Sequence, residues 1–137
     1  MMRRSRAREV ALQLLVQRDL NPGVGREVIA DFVRDRLRDP ALEPFGLGLY
    51  DGVVAHAADI DRRLTAAADN WRLQRMALVD RNVLRLGGYE ILFAPETPAA
   101  VALDEAVELA RRFGAAGSPA FVNGVLDRLR QDAVPSA

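Results

Sequence analysis

The chain has 137 residues, half of them apolar and 28% charged, and its basic residues, all arginine, balance 19 acids to a formal net charge of zero. That length suits one well-buried core and not two comfortable domains, and zero net charge excludes a protein that draws nucleic acid through its overall field. The absence of cysteine excludes a disulfide framework and any thiolate metal site.

In chain order, Ala7, Val10, Ala11, Leu14 and Leu15 recur at helical spacing and predict a first helix to about Arg18, with Ser5 as its cap. Glu9, Gln13, Gln17 and Arg18 interrupt its apolar stretch, so it does not read as a signal peptide. Nowhere does a run approach the ~20 apolar residues of a membrane span, and a cytoplasmic protein is expected. Asn21-Pro22-Gly23 ends the first helix. Val28, Ile29, Phe32, Val33 and Leu37 predict a second, closed by Asp39-Pro40.

Leu47, Leu49, Val53 and Val54 lead into Ile60 and Leu64, a third helix and a short fourth. Trp71 to Phe93 reads as one or two buried helices, and Pro95 and Pro98 bracket the turn that follows. The next helix is read with Thr97 as cap, Pro98 in first position, and Arg111, Arg112 and Gly114 at its end. Ser118-Pro119 repeats the cap-then-proline device and opens a last helix carrying Phe121, Val122, Val125, Leu126 and Leu129. The expected fold is all-α with about seven helices, a single domain over residues 1–132 and a short polar tail over 133–137.

Little in the chain offers catalysis. His56 is the one histidine and lies between alanines, without the partners that a metal site or a nucleophilic triad needs. Asp104, Glu105 and Glu108 form an acidic group, but acids early and arginines late in a helix, with Glu108 one turn before Arg112, describe a solvated helix. No phosphate-loop or dinucleotide motif occurs. No catalytic residue, metal or cofactor is expected. Gly87, Gly88 and Gly124 lie inside helical patterns, where glycine costs ~1 kcal/mol relative to alanine, and close helix approach is the expected compensation.

Charge is distributed unevenly. Arg3, Arg4, Arg6 and Arg8 crowd the start, whereas the acids Glu90, Glu96, Asp104, Glu105 and Glu108 follow one another without a base between them. Arginines at a helix N-terminus have the wrong sign for the helix dipole. They match phosphate geometry, and their neutralisation of single-stranded RNA releases counterions.

Three stretches, VLRLGGYEI, DEAVELARRFG and FVNGVLD, occur in this order within Asp80–Leu129, and together with the opening RRSRAREVALQLL the chain closely resembles the NusB family of transcription antitermination factors. Residues 21–70 match that family only in length and helical character. The resemblance implies two small, roughly perpendicular helical bundles and a role without catalysis. It further implies a heterodimer with NusE, a small-subunit ribosomal protein, that binds single-stranded boxA RNA in ribosomal RNA leaders and joins the elongating polymerase. By this resemblance Arg3, Arg4, Arg6, Arg8, Gln13, Phe113 and Phe121 would contact RNA, and Asp80 and Gln74 would face NusE.

The chain departs from the family pattern at Val16, where a tyrosine is frequent, at Gly117, Pro119 and Ala120, where more polar residues occur, and at Asp104 in place of asparagine. A similar domain occurs at the N-terminus of ribosomal RNA cytosine methyltransferases, and some family members form homodimers. With an end at Ala137, a standalone adaptor is the expectation.

Overall fold

The computed structural model describes residues 3–69 and 72–133. Among them are seven α-helices, one 3-10 turn and no strand: α1 (Arg3–Leu20), α2 (Arg26–Leu37), α3 (Glu43–Ala55), α4 (Ala57–Ala67), the turn Leu73–Arg75, α5 (Leu78–Phe93), α6 (Ala99–Phe113) and α7 (Ser118–Ala133). None of these helices is long and apolar enough to cross a membrane. Trp71 and the expected tail beyond Ala133 lie outside the described residues.

Helices α1, α2 and α3 pack on one another, and α4, α5, α6 and α7 form a second group. α5 belongs to both, since α1 and α3 also lie against it. Its sequence explains how. Val83, Leu84 and Leu86 are fully or almost fully buried, and Gly87 lets neighbours come close, whereas a Cβ on Gly88 would meet Leu129 and Ile60 at 3.4 and 3.5 Å, ordinary packing distances. A Cβ on Gly87 would sit 2.7 Å from Leu126 Cδ1 and 3.0 Å from Ala106 Cβ, so its missing side chain is what seats α6 and α7 against α5. Close approach, expected for all three helical glycines, does not hold at Gly124, which is exposed and has nothing within 4 Å of its would-be Cβ.

Several predicted ends shift by a residue or more for identifiable reasons. Ser5 lies inside α1, its hydroxyl directed to Glu105 and not to the helix start. Pro98, not Thr97, is the N-cap of α6, its carbonyl accepting from the amides of Val101 and Ala102 at 3.0 Å. Ser118 is itself the first residue of α7, and its hydroxyl accepts from the Ala115 amide at 3.0 Å, closing the preceding loop. Gly114 is required there, because a Cβ would meet Ser118 at 2.7 Å and the Ala110 carbonyl at 2.8 Å. α2 ends on Arg38 in the left-handed conformation (φ 51°), its amide bonded to the Arg34 carbonyl.

His56 occupies the joint between α3 and α4 and stacks on Phe93 with ring centroids 4.0 Å apart at 11°. It is exposed, and the described residues contain no cluster of three or more metal-ligating side chains.

Candidate nucleic-acid interface

The uneven charge pattern of the chain is resolved largely inside the fold. Arg8 is 4% exposed, and its Nε and Nη2 donate to the two carboxylate oxygens of Glu90 at 2.7 and 2.8 Å. Its Nη1 lies 3.7 Å from Glu105, which also accepts from Ser5 at 2.8 Å. Burial disfavours the charged guanidinium, but the bond to Glu90 and the two nearby carboxylates outweigh it and hold the Arg8 pKa above its ordinary value. The acidic run therefore supplies partners for the basic start, tying α1 to α5 and α6. Arg8, expected to contact RNA, instead has its fork engaged by the buried Glu90, with the partly exposed Glu105 nearby, and does not reach the surface.

Arg3, Arg4 and Arg6 do reach it. Arg3 is exposed and donates to Asp39, and that bond, with backbone amides of Ala41 and Leu42, keeps the Asp39 carboxyl below the usual carboxylate range. Arg4 is exposed and lies over the Phe45 ring, 4.5 Å from its centroid. Arg6 is partly exposed and pairs with Glu9 at 3.0 Å.

One turn and more along α1, a recess of about 360 Å³ opens between α1, α2, the start of α5 and the end of α6. Gln13 and Phe113 meet there, with Leu12, Val16, Phe32 and Val79 forming further apolar wall. Guanidiniums frame it: Arg36 lies 4.7 Å above Phe32, and Arg112 lies 4.8 Å from the centroid of Phe113, which is 40% exposed. Glu108 pairs with Arg111 at 2.6 Å instead of with Arg112, whose guanidinium turns toward Glu9 at 3.5 Å. Phe121 is half-buried and packs against the core, and it is not among the residues lining this recess.

The two residues expected to face a protein partner stand elsewhere. Asp80 is in the first turn of α5, with Oδ1 buried and without a hydrogen bond. Gln74 is exposed on the 3-10 turn, at a second hollow bordered by Asp61, Arg62, Thr65, Leu73 and Arg85. Arg85 holds that region together, donating to Asp61 at 2.9 Å and to Asp19 at 3.0 Å, while Asn82 donates to Asp19 at 2.9 Å.

A sequence model of the NusB family matches residues 5–131. The chain belongs to the NusB family. It is 47% identical over 129 residues to the transcription antitermination protein NusB of Sorangium cellulosum, covering 94% of this chain and 92% of that one. It is 41% identical over 131 residues to the NusB protein of Streptomyces coelicolor, covering 93% and 92%. Among solved structures, T. maritima NusB superposes with a TM-score of 0.85 at 32% identity over 96% of this chain and 93% of that one. A crystal structure of antitermination factors NusB and NusE in complex with dsRNA contains a chain that matches with a TM-score of 0.85 at 26% identity, covering 96% and 99%. The all-α architecture is thus the NusB fold.

Reasoning from sequence missed Glu9, Phe32, Arg36, Phe45, Glu90 and Glu105 at or beneath this surface. Glu90 carried a usable signal, an acid set among Gly87, Tyr89, Ile91 and Leu92, where only a paired carboxylate can be buried. Phe32 and Arg36 carried none, because their one-turn spacing on α2 is indistinguishable from ordinary amphipathic patterning.

Proposed function

We propose that this chain is a non-catalytic transcription antitermination factor of the cytoplasm that binds the single-stranded boxA element of nascent ribosomal RNA together with NusE and joins the elongating polymerase. Two observations carry the reading: Arg3, Arg4 and Arg6 reach the surface at the start of α1, and farther along the same helix Gln13 and Phe113 meet in a recess edged by Arg36 and Arg112. Guanidiniums suit phosphates, and exposed aromatic faces suit bases. Phe121, near the start of α7, is placed in the same reading as a lesser contact, and Asp80 with Gln74 as the side toward NusE. The likeness to a NusB solved with NusE and dsRNA supports the choice of partners.

Three phosphate-binding arginines contribute a log-log salt slope of about −2 on a single strand, too little for tight binding alone. Base contacts and NusE must supply the rest. The test is a fluorescence-anisotropy titration of boxA RNA with the protein, alone and with NusE, against an Arg3/Arg4/Arg6-to-Ala variant. Binding that NusE strengthens and the variant weakens is the expected result. Absence of binding to both boxA RNA and NusE at micromolar concentration refutes the reading.

A further inference from the structure

The recess between α1 and α2 contains more than apolar wall. Glu9 Oε2 and Gln13 Oε1 are both buried and lack hydrogen-bond partners, although Arg6 Nη1 approaches the former at 3.0 Å as an ion pair. Around them stand Leu12, Val16, Phe32, Val79 and Phe113. At about 360 Å³ the space lies at the small end of pockets that enclose a small ligand, roughly 300–1,000 Å³. An occupant that suits it is apolar on its faces, carries N–H donors on its edge, and has negative charge outside, where Arg6, Arg36 and Arg112 gather.

We propose that this recess takes one unstacked base of the bound RNA strand and prefers a base with an exocyclic amino group, adenine, cytosine or guanine, over uracil. The inference rests on the RNA-binding reading above and names what its groove selects. An amino group presents two N–H donors, one to Gln13 Oε1, which has no donor, and one to the Glu9 carboxylate, which has only the Arg6 and Arg112 ion pairs, the pairing by which carboxylates and amides read amino-bearing base edges. Uracil has one N–H flanked by two carbonyl oxygens, so its edge sets lone pairs against the carboxylate of Glu9. A lysine or arginine from a protein would supply donors too, but the three guanidiniums at the rim repel it and attract phosphate. The recess depends on a small side chain at position 16, because Val16 forms part of its wall. A tyrosine at that position would fill the space.

The test uses the full chain with saturating NusE and a fluorescein-labelled 12-nucleotide oligouridine, compared with three versions that carry one central adenine, cytosine or guanine. At least one amino-bearing base should tighten binding about tenfold, the scale of one good base contact. In Val16→Tyr, which fills the slot, and in Gln13→Leu, which removes an acceptor, the ratio should fall to about one, with thermal melting by circular dichroism confirming that both fold. Equal affinity for all four oligonucleotides, with binding still weakened by salt and by Arg3/Arg4/Arg6-to-Ala, overturns the base slot and leaves the RNA-binding reading standing. A preference that survives in both variants also overturns it. No binding of any oligonucleotide or of boxA RNA overturns both.

Discussion

Replacing Arg8 by methionine removes a group that holds α1 to α5 from inside. Glu90 is 1% exposed and takes both of its hydrogen bonds from Arg8, at 2.7 and 2.8 Å. Without the guanidinium its carboxylate is buried and uncompensated, and breaking a buried pair in this way costs about 3–5 kcal/mol. Against a typical total stability of about 5–15 kcal/mol, that is a large fraction. At a urea m-value of about 2 kcal/mol/M, the loss moves the midpoint by about 2 M. The double variant Arg8→Met with Glu90→Leu removes both charges and should recover most of the loss, since a buried pair replaced by apolar side chains is often neutral. Urea titrations followed by far-UV circular dichroism read both numbers. The same double variant decides what Arg8 does for RNA. Because the guanidinium does not face solvent, the variant should keep its NusE-dependent RNA affinity and an unchanged salt slope, whereas Arg3→Ala should make the slope shallower by about 0.7. A cost below about 1 kcal/mol for Arg8→Met, or a folded double variant whose slope is shallower by about 0.7, refutes the assignment of Arg8 to the interior.

The helical glycines should respond in opposite directions. Gly87→Ala puts a methyl group 2.7 Å from Leu126 Cδ1, and overpacking of about 1–3 kcal/mol less a propensity gain of about 1 should lower the melting temperature. Gly124→Ala meets open space and should gain up to about 1 kcal/mol; melting shifts of the same sign in both would contradict the packing argument. Tyr89 titrates above its ordinary value, through burial first and then through Glu96 and Glu90. The folded state thus binds that proton more tightly than the unfolded chain, so its contribution to stability is complete below about pH 10 and is lost as pH rises through the folded pKa. Tyr89→Phe should flatten the alkaline arm of stability, measured by denaturation from about pH 9 to about pH 11, and an unchanged arm would remove the argument. Arg85→Met leaves Asp19 and Asp61 without their shared donor and should cost about 2 kcal/mol; Asp61→Asn in the same background should recover part of it, and a single variant as stable as the parent would show the bridge to be idle.

Seven helices were legible because each carries an apolar face at helical spacing and most are separated by proline or glycine. The joint between α3 and α4 is marked by little more than the polar residues after Val54, and was still placed near enough to give a third helix and a fourth. Helix ends were less legible: Ser5 and Ser118 have the right residue type for caps, but their hydroxyls are taken by Glu105 and by the Ala115 amide. Local chemistry licenses a cap; a tertiary partner, as for Ser5, or the preceding loop, as for Ser118, can claim the same oxygen. The site was legible on α1 and α6, where the family's motifs are dense, and its α2 wall was not. Phe32 and Arg36 fall in a stretch where no family motif is legible in the residues, although the family model spans it, and their bearing on Gln13 and Phe113 exists only once α2 is laid against α1.

The charge pattern shows how a protein of zero net charge can still present a cationic edge. Arginine is the only basic side chain in the sequence, and many copies are neutralised where they stand: Arg8 by Glu90, Arg85 by Asp19 and Asp61, Arg111 by Glu108, Arg128 by Asp132. Arg4, Arg36 and Arg112 lie over phenylalanine rings, and among the described residues only Arg112 of these also has a carboxylate within ion-pair distance, Glu9 at 3.5 Å. A guanidinium held over an aromatic face keeps its charge and its in-plane donors available to phosphate. Arg36 and Arg112 frame the recess, and Arg4, at the start of α1, lies over Phe45. Because overall field is absent, encounter with RNA gains little from long-range steering. Affinity must therefore come from contacts made after encounter, which places the burden of specificity on the bases and on the protein partner.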